Sequence, residues 1–244
     1  MPALIEIQNF EKSFGTKKVH EDINLDIRQG ECLGLIGGSG TGKSVLLRSL
    51  IGLERPDRGQ ILVDGIDITK LTEKELIPVR KRVAYAFQGG ALFDSMTVFE
   101  NLAYPLRAHT DLTPRQISEK VMKLLSDFGL AGNDKLLPAS LSGGMQKRVG
   151  LARAMILNPD VILYDEPTAG LDPFNTTKIQ DMILRLKQMG KTGILVTHDM
   201  PVAFKVCDRI AMLENGRIGV VDTVETILKN QDHPIMHFAH GEVA

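Results

Sequence analysis

The chain contains no tryptophan, only two cysteines and no long hydrophobic run. Two cysteines in 244 residues cannot build the disulfide framework of a small secreted domain, so Cys32 and Cys207 are predicted to be buried thiols in a reducing compartment. The sequence also lacks a secretory leader and any stretch of about 18 apolar residues, the length that a membrane-spanning helix needs. We therefore expect a soluble, cytosolic protein that reaches a membrane only through a partner.

Charge of one sign is not in excess either. The chain has 29 Lys and Arg residues against 30 Asp and Glu residues. This balance provides no overall positive field for nucleic acid or for an anionic membrane surface, and we expect no nucleic-acid partner. The length allows one large domain or one domain with an insertion, and no internal repeat or long linker divides the chain.

The most informative segment that is present is rich in glycine. It reads Gly37-Gly38-Ser39-Gly40-Thr41-Gly42-Lys43-Ser44 and fits the pattern G-x-x-x-x-G-K-[ST]. The apolar run 31–36 before it is typical of a buried strand, and residues 45–51 after it have helical apolar spacing. In this order, backbone N–H groups can surround phosphates, the lysine can reach the terminal phosphates and the hydroxyl can bind Mg²⁺. The segment therefore predicts a nucleotide-binding loop.

The segments around this loop predict two kinds of structure. Residues 4–8 and 23–27 alternate between apolar and polar side chains, which predicts an antiparallel β-layer beside the nucleotide strand. Lys12-Ser13-Phe14-Gly15 is predicted to be a turn, and the Phe14 ring could stack on a purine or could simply belong to the core. From Gly89 the pattern becomes helical, and residues 89–157 are predicted to form an inserted helical subdomain without strands.

Polar residues end several of the predicted strands. The run 160–164 ends at Asp165 and Glu166, another buried run ends at His198, and a third ends at Gln88. Open α/β sheets bind ligands at the carboxyl ends of their strands, so these side chains are candidates for a site, although a lone histidine there is more often structural.

Two helix starts carry further candidates. Ser142 precedes Gly143 and Gly144 at the start of a predicted helix, and Asp172 caps the next one. The exposed first-turn N–H groups after Ser142 would make a second anion site, but Ser-Gly-Gly before a helix is also a common cap.

Taken in order, these motifs resemble those of the ATP-binding cassette (ABC) ATPases over nearly the whole chain. The resemblance rests on the glycine loop, Gln88, Leu141-Ser142-Gly143-Gly144, the Asp165-Glu166 pair and His198. It implies an α/β fold of the P-loop NTPase class, with a mainly parallel core sheet, an antiparallel β-layer and an inserted helical subdomain. It divides the chain into a RecA-like core with its β-layer (1–88 and 158–230), a helical subdomain (89–157) and a C-terminal tail (231–244).

The resemblance also implies that the chain hydrolyses ATP with Mg²⁺. Glu166 would be the general base, His198 would contact the γ-phosphate, Lys43 would neutralise phosphate charge, and Gln88 would touch the metal and the attacking water. Ser44 and Asp165 would hold Mg²⁺ together with Gln88. The nucleotide contacts implied by the family are Phe14, Gly37, Gly38, Ser39, Gly40, Thr41, Gly42, Lys43, Ser44, Val45, Ser142, Gly143, Gly144 and Asp172.

In this family, the residues matching Ser142 and Gly144 contact the γ-phosphate that another subunit holds, and the residue matching Asp172 lines the same interface. The resemblance thus implies a head-to-tail homodimer with two ATP molecules between the chains. Two positions depart from the family pattern: Met145 stands where many members have glutamine, and Phe14 stands where tyrosine is frequent.

Residues 88–101 and Leu141 to Met145 resemble the ATPase of Mla-type bacterial phospholipid-trafficking systems. The resemblance implies a peripheral position on the cytoplasmic face of the bacterial inner membrane, with an integral membrane permease bound through residues 89–107. It further implies a lipid-binding protein with a mammalian-cell-entry domain and a regulatory STAS-domain protein. The apolar stretch 91–106 would contact the permease or pack in the core, and the tail 231–244 would reach a neighbouring ATPase or remain a flexible, solvated terminus.

Three other interpretations stay open. The same ATP chemistry would serve a transporter of amino acids, metals or lipoproteins. A soluble ABC ATPase that acts on nucleic acid or ribosomes would be expected to carry two cassettes, long coiled coils or basic linkers. A scaffold that binds nucleotide without turnover is disfavoured because Glu166 and His198 are both present.

Overall fold

The computed structural model describes residues 3–242, which form two β-sheets with nine α-helices around them. The strands are β1 (Ala3–Phe14), β2 (Lys17–Arg28), β3 (Cys32–Ile36), β4 (Arg58–Val63), β5 (Ile66–Asp67), β6 (Val83–Ala86), β7 (Val161–Asp165), β8 (Thr192–Val196), β9 (Arg209–Glu214) and β10 (Arg217–Thr223). The helices are α1 (Lys43–Ser49), α2 (Glu73–Arg82), α3 (Val98–His109), α4 (Pro114–Asp127), α5 (Gly143–Met155), α6 (Pro173–Gln188), α7 (Met200–Val206), α8 (Val224–Lys229) and α9 (Pro234–Ala239).

The larger sheet has six strands in the order β10-β9-β3-β8-β7-β6. The strands from β9 to β6 pair in parallel, and β10 alone is antiparallel because a tight turn at Asn215-Gly216 joins it to β9. All five residues of β3, β7 and β8 are buried, as expected for parallel strands that are covered on both faces. The mainly parallel core sheet is thereby confirmed.

The smaller sheet is the antiparallel layer, with the order β2-β1-β4-β5. Its inward side chains include Ile5, Ile7 and Phe10 of β1, which are almost fully buried. One detail of the sequence interpretation is wrong: residues 12–14 do not turn but continue β1, and the turn lies at Gly15-Thr16. Gly15 takes a φ of 60°, so this glycine allows the chain to reverse after Phe14.

Alternation along the central strands divides the core into two layers. Leu33 and Leu35 of β3 face the antiparallel layer and α1, whereas Cys32 and Ile36 face the helices on the opposite side of the sheet. Because successive side chains of a strand point to opposite faces, one apolar run contributes to both layers. The larger sheet is thus packed on both faces, and this packing fixes the positions of its strand ends relative to each other.

Residues 89–157 contain the three helices α3, α4 and α5 and, within the described structure, no strand. Two of these helices begin with capping boxes, which pair Thr97 with Glu100 and Thr113 with Gln116. Of the apolar stretch 91–106, Leu102 and Leu106 are buried in the core, while Phe93 and Tyr104 remain almost half exposed. The stretch therefore serves both the core and the surface.

The C-terminal segment differs from the flexible, solvated tail that was one of the two alternatives for residues 231–244. Residues 234–239 form α9, and Ile235 and Met236 are buried in the helical side of the chain's own core. His233 accepts a hydrogen bond from the Ile235 backbone N–H at 3.2 Å and thereby caps the helix. That alternative is wrong for residues 233–239, and residues 243–244 lie outside the described part of the chain.

The two cysteines and the lengths of the helices bear on the expectations drawn from composition. Cys32 and Cys207 are buried free thiols whose sulfur atoms lie 4.0 Å apart. Among residues 3–242, no helix combines the length and the apolar character that crossing a bilayer requires.

Packing of α9 on the core gives a direct test of the C-terminal segment. Ile235→Ala removes a fully buried side chain, and we expect it to lower the free energy of unfolding by about 2–5 kcal/mol. His240→Ala, at an exposed position beside the same helix, should change it by less than about 0.5 kcal/mol. Urea unfolding measures both, and equal stability of the two variants would mean that α9 does not pack in solution.

Candidate active site

Four neighbouring strands of the larger sheet end in the polar segments singled out by the sequence. In the order β3-β8-β7-β6, these segments are the glycine loop 37–44, His198, the Asp165-Glu166 pair and Gln88. Because the four strands are parallel and adjacent, all of these segments lie along one edge of the sheet.

Two glycines of the loop occupy positions that no other residue fits without displacement. Gly37 has a φ of 150°, and a Cβ there would overlap the carbonyl oxygen of Leu213. Gly42 has a φ of 97°, and a Cβ would lie 2.5 Å from the His20 ring and from the Val19 side chain. The loop therefore presses its backbone against β2 and β9, which holds its amide groups in a fixed arrangement.

Lys43 is the only cationic side chain of the loop 37–44, and it is mostly buried. Its Nζ donates hydrogen bonds to the carbonyl oxygens of Gly37 and Gly38, both at 2.8 Å. Burial lowers the pKa of the Lys43 ammonium, while the nearby carboxylates of Glu166 and Asp165 act in the opposite direction. The result is a positive charge held between the loop and the two acids.

Asp165 accepts hydrogen bonds at both of its carboxylate oxygens. The Ser44 hydroxyl donates to Oδ1 at 2.9 Å, and the Tyr85 hydroxyl donates to Oδ2 at 2.6 Å. Burial and the hydrogen bond to this carboxylate raise the pKa of Tyr85. The sequence interpretation missed Tyr85, because only the pairing of β6 with β7 brings it beside Asp165.

The oxygens of Ser44 and Asp165 fit a hard divalent cation, since hydroxyl and carboxylate oxygens are the ligands that such ions prefer. Within residues 3–242, no group of three or more His, Cys, Asp or Glu side chains is arranged to hold a metal. A cation held by these two residues would complete its coordination with other oxygen atoms.

Glu166 and His198 meet beside this oxygen pair. The His198 Nδ1 lies 3.0 Å from the Glu166 carboxylate, whose side chain is 15% exposed, while the His198 ring is 69% exposed. The Glu166 backbone takes an unusual φ of 48°, and its N–H donates to the Val196 carbonyl at 2.9 Å. This bond ties the chain after β7 to the end of β8 and brings Glu166 next to His198.

Ser142 and Asp172 lie together at a second location. Ser142 caps α5 by accepting a hydrogen bond from the Met145 N–H at 3.3 Å, and Asp172 caps α6 by accepting from the Asn175 N–H at 2.9 Å. A Cβ on Gly144 would meet the Asn175 side chain at 2.5 Å, so the two helix starts are in close contact. Ser142 and Gly143 are exposed. No hydrogen bond within residues 3–242 joins this pair of helix starts to the loop 37–44.

Met145 and Phe14, the two residues that depart from the family pattern, differ in how far they are buried. Met145 is half-buried and packs against the hydrophobic cluster that includes buried residues of α3, α4 and α5. Phe14 ends β1 with 46% of its surface exposed and has the Lys12 ammonium 5.0 Å from its ring centre. Gln88 is also exposed, so both Phe14 and Gln88 can contact a ligand or a partner.

His20 is a second residue that the sequence interpretation missed. It is 1% exposed, its ring packs edge-on against Phe10 at 5.6 Å, and neither ring nitrogen has a hydrogen-bond partner among residues 3–242. Burial lowers its pKa to about 4. Because the same ring lies against Gly42, a neutral His20 forms part of the support of the glycine loop. Its position in the alternation of β2 signals burial but not contact with the loop.

A groove lies elsewhere, between α4, α5 and α6. It has a volume of about 770 Å³ and includes Leu124, Phe174 and Met182. None of its residues belongs to the loop 37–44 or to the acids at the end of β7. This groove is therefore separate from the candidate active site.

Known proteins are similar to this chain over most of its length. The family profile described as "ABC transporter" matches residues 20–169. A solved structure of a dimeric ATP-binding cassette in a post-hydrolysis state, bound to ADP and Pi, superposes with a TM-score of 0.84 at 30% identity. That match covers 90% of this chain and 98% of the other.

Curated relatives carry several transport names. The chain is 43% identical to the "Probable ribonucleotide transport ATP-binding protein mkl" of Mycobacterium leprae, over 99% of this chain and 70% of that protein. It is 42% identical to the methionine import ATP-binding protein MetN of Carboxydothermus hydrogenoformans, over 95% and 70%. It is 38% identical to the intermembrane phospholipid transport system ATP-binding protein MlaF of Haemophilus influenzae, over 98% and 91%.

The buried His20 predicts a pH-dependent stability. Its pKa falls from 6.5 to about 4 in the folded chain, so unfolding takes up a proton between these values and acid destabilises the fold. Relative to pH above 6.5, we expect a loss of about 3 kcal/mol by pH 4 from this residue alone. Urea unfolding at several pH values measures this loss, and His20→Leu should remove it. An unchanged pH slope in His20→Leu would contradict the assignment.

Proposed function

This chain is an ATPase of the ABC transporter family, and from that premise we propose that it drives phospholipid transport through a separate membrane permease. The observation that carries the catalytic part is the convergence of Lys43, the Ser44–Asp165 pair and the Glu166–His198 pair at one sheet edge. The phospholipid part is supported by the MlaF relatives, which match over most of their own length.

The loop 37–44 and Val45 would bind the ATP phosphates. Its backbone N–H groups and the Lys43 ammonium would balance the phosphate charge, and the exposed Phe14 would stack on the adenine. Ser44 and Asp165 would hold Mg²⁺, with Gln88 reaching the same ion. When bound, Mg²⁺ would supply positive charge that offsets the negative charge developing on the phosphate.

Glu166 would act as the general base. It follows Asp165 directly, so a carboxylate that holds the cation stands beside one that accepts a proton from water. His198, held 3.0 Å from Glu166, would orient that water and contact the γ-phosphate. Phosphoryl transfer depends mainly on positioning and charge stabilisation, so each of these side chains should matter strongly.

The complete site would need a second copy of the chain. Ser142, Gly143 and Gly144 with Asp172 form a separate group. Ser142 and Gly143 are exposed, and no hydrogen bond among residues 3–242 joins the group to the glycine loop of the same chain. A head-to-tail homodimer would bring this group over the γ-phosphate held by the other chain and would enclose two ATP molecules. The solved relative that carries ADP and Pi is likewise a dimer.

The surface that would dock the permease lies on the helical segment 89–107. The rings of Phe93 and Tyr104 are exposed and lie edge to face at 5.3 Å, with the Arg153 guanidinium 5.6 Å from the Phe93 ring centre. Such an exposed aromatic pair suits the apolar face of a partner helix. Through this contact the chain would sit at the cytoplasmic face of the bacterial inner membrane. The remaining partners would be a lipid-binding protein with a mammalian-cell-entry domain and a STAS-domain regulator.

A second candidate function is import of methionine or another amino acid. It is favoured by the MetN relatives, whose identity to this chain is slightly higher than that of MlaF. The chemistry at the sheet edge would be the same, so only the permease and the cargo protein distinguish the two functions.

Two substitutions separate nucleotide binding from hydrolysis. Lys43→Ala removes the buried ammonium and should weaken ATP binding at least about tenfold, whereas Glu166→Gln should keep binding and lower turnover at least about a hundredfold. Phosphate release and nucleotide titration measure the two effects. With ATP and Mg²⁺, Glu166→Gln should also elute as a dimer in gel filtration. Normal turnover by Glu166→Gln would remove Glu166 as the base.

Phe93→Asp tests the permease surface. Phe93 is 43% exposed, so a charge there should spoil assembly with the permease while the unfolding temperature and ATP binding stay near those of the parent chain. Phe99→Asp should lower stability as well, because Phe99 is partly buried against the core. Affinity purification from the native host measures assembly. Recovery of a permease with a methionine-binding protein, and without a lipid-binding protein, would contradict the phospholipid proposal.

A further inference from the structure

The two oxygens of the Asp165 carboxylate have different partners. Oδ1 faces the Ser44 hydroxyl at 2.9 Å, while Oδ2 accepts a short 2.6 Å hydrogen bond from the Tyr85 hydroxyl. A carboxylate can rotate about its terminal torsion, which has a broad preference. Two donors on opposite oxygens remove that freedom and leave one oxygen pointing towards the glycine-loop serine.

The direction of the Tyr85 hydroxyl is itself fixed by packing. The Tyr85 ring stacks on Phe87 with centres 4.2 Å apart and planes inclined by 30°, and β6 pairs with β7 in parallel so that Ala86 lies opposite Tyr164. Phe87 directly precedes Gln88. The same tyrosine therefore connects the carboxylate at the end of β7 with the segment that follows β6.

We propose that Tyr85 is a positioning residue for the divalent cation: its hydroxyl holds Oδ2 of Asp165 so that Oδ1 and the Ser44 hydroxyl form the protein's side of the metal site. This inference rests on the proposed function, because it requires that Ser44 and Asp165 bind Mg²⁺. Tyr85 does not touch the cation; it acts through Asp165 alone.

Removal of the Tyr85 hydroxyl leaves Oδ2 of Asp165 without its hydrogen-bond donor. Asp165 is 8% exposed, so solvent replaces the lost donor only poorly, and the carboxylate can turn away from Ser44. Partners in the second coordination shell commonly change metal affinity by about 10- to 100-fold when they are removed. The phenyl ring of Tyr85→Phe keeps the stack on Phe87, so this variant isolates the hydrogen bond.

Binding of Mn²⁺ to the ATP-loaded chain tests the proposal without relying on turnover. Every variant carries Glu166→Gln to prevent hydrolysis, and electron paramagnetic resonance counts free Mn²⁺ during a titration at saturating ATP. We expect Tyr85→Phe to weaken Mn²⁺ binding about tenfold while ATP affinity in the presence of a metal chelator stays unchanged.

Tyr164→Phe is the matched control, because Tyr164 precedes Asp165 on β7 but faces the opposite side of the sheet. It should bind Mn²⁺ like the parent, and circular dichroism confirms that each variant is folded. Asp165→Asn should abolish the tight Mn²⁺ site. If Asp165→Asn loses Mn²⁺ but Tyr85→Phe binds it like the parent, Tyr85 has no positioning role. If Asp165→Asn retains Mn²⁺ binding, the proposed metal site itself is wrong.

Discussion

The parallel register of β3, β8, β7 and β6 is the constraint on which the rest of the molecule depends. In this register Leu35 and Asp165 are both level with Val196, and Ala86 is level with Tyr164, so the four strands end at one edge. A slip of one residue would turn every side chain of a strand to the opposite face. Burial of these strands between the antiparallel layer and the helices excludes such a slip, and thus fixes the distances among the loop, the acids and the histidine.

The same frame connects the start of α5 with the proposed base Glu166. Lys147, on the helix that Ser142 caps, donates hydrogen bonds from its Nζ to the carbonyl oxygens of Glu166 and Ala169. Burial lowers the pKa of Lys147, and the Glu166 carboxylate opposes that shift. A movement of α5 would therefore change the hydrogen bonds between Lys147 and the backbone of Glu166 and Ala169. In a head-to-tail dimer, this contact would link the arrival of the partner's nucleotide to the chemistry at the chain's own site.

Much of the fold could be predicted from local sequence, because apolar runs of five residues, glycine turns and capping boxes are short-range signals. Asp165, Glu166 and His198 could be found for the same reason, since Asp165 ends a buried strand, Glu166 follows it directly and His198 lies two residues after another buried strand. Tyr85 and His20 could not, because their partners are about 80 and 22 residues away: strand pairing brings Tyr85 to Asp165, and packing of β2 against the loop brings His20 to Gly42. The helix α9 was missed because six residues between polar neighbours are too few to display a helical period.

The central claim is that one chain's glycine loop meets the other chain's Ser142 when ATP binds. Disulfide formation between separate chains measures this contact most directly. A chain that carries Ser39→Cys is mixed with a chain that carries Ser142→Cys, and both also carry Glu166→Gln. The two native cysteines are buried. We expect a covalent dimer that forms with ATP and not without nucleotide, and neither chain alone should form it. Failure of the mixed chains to crosslink while ATP is bound would contradict the composite site.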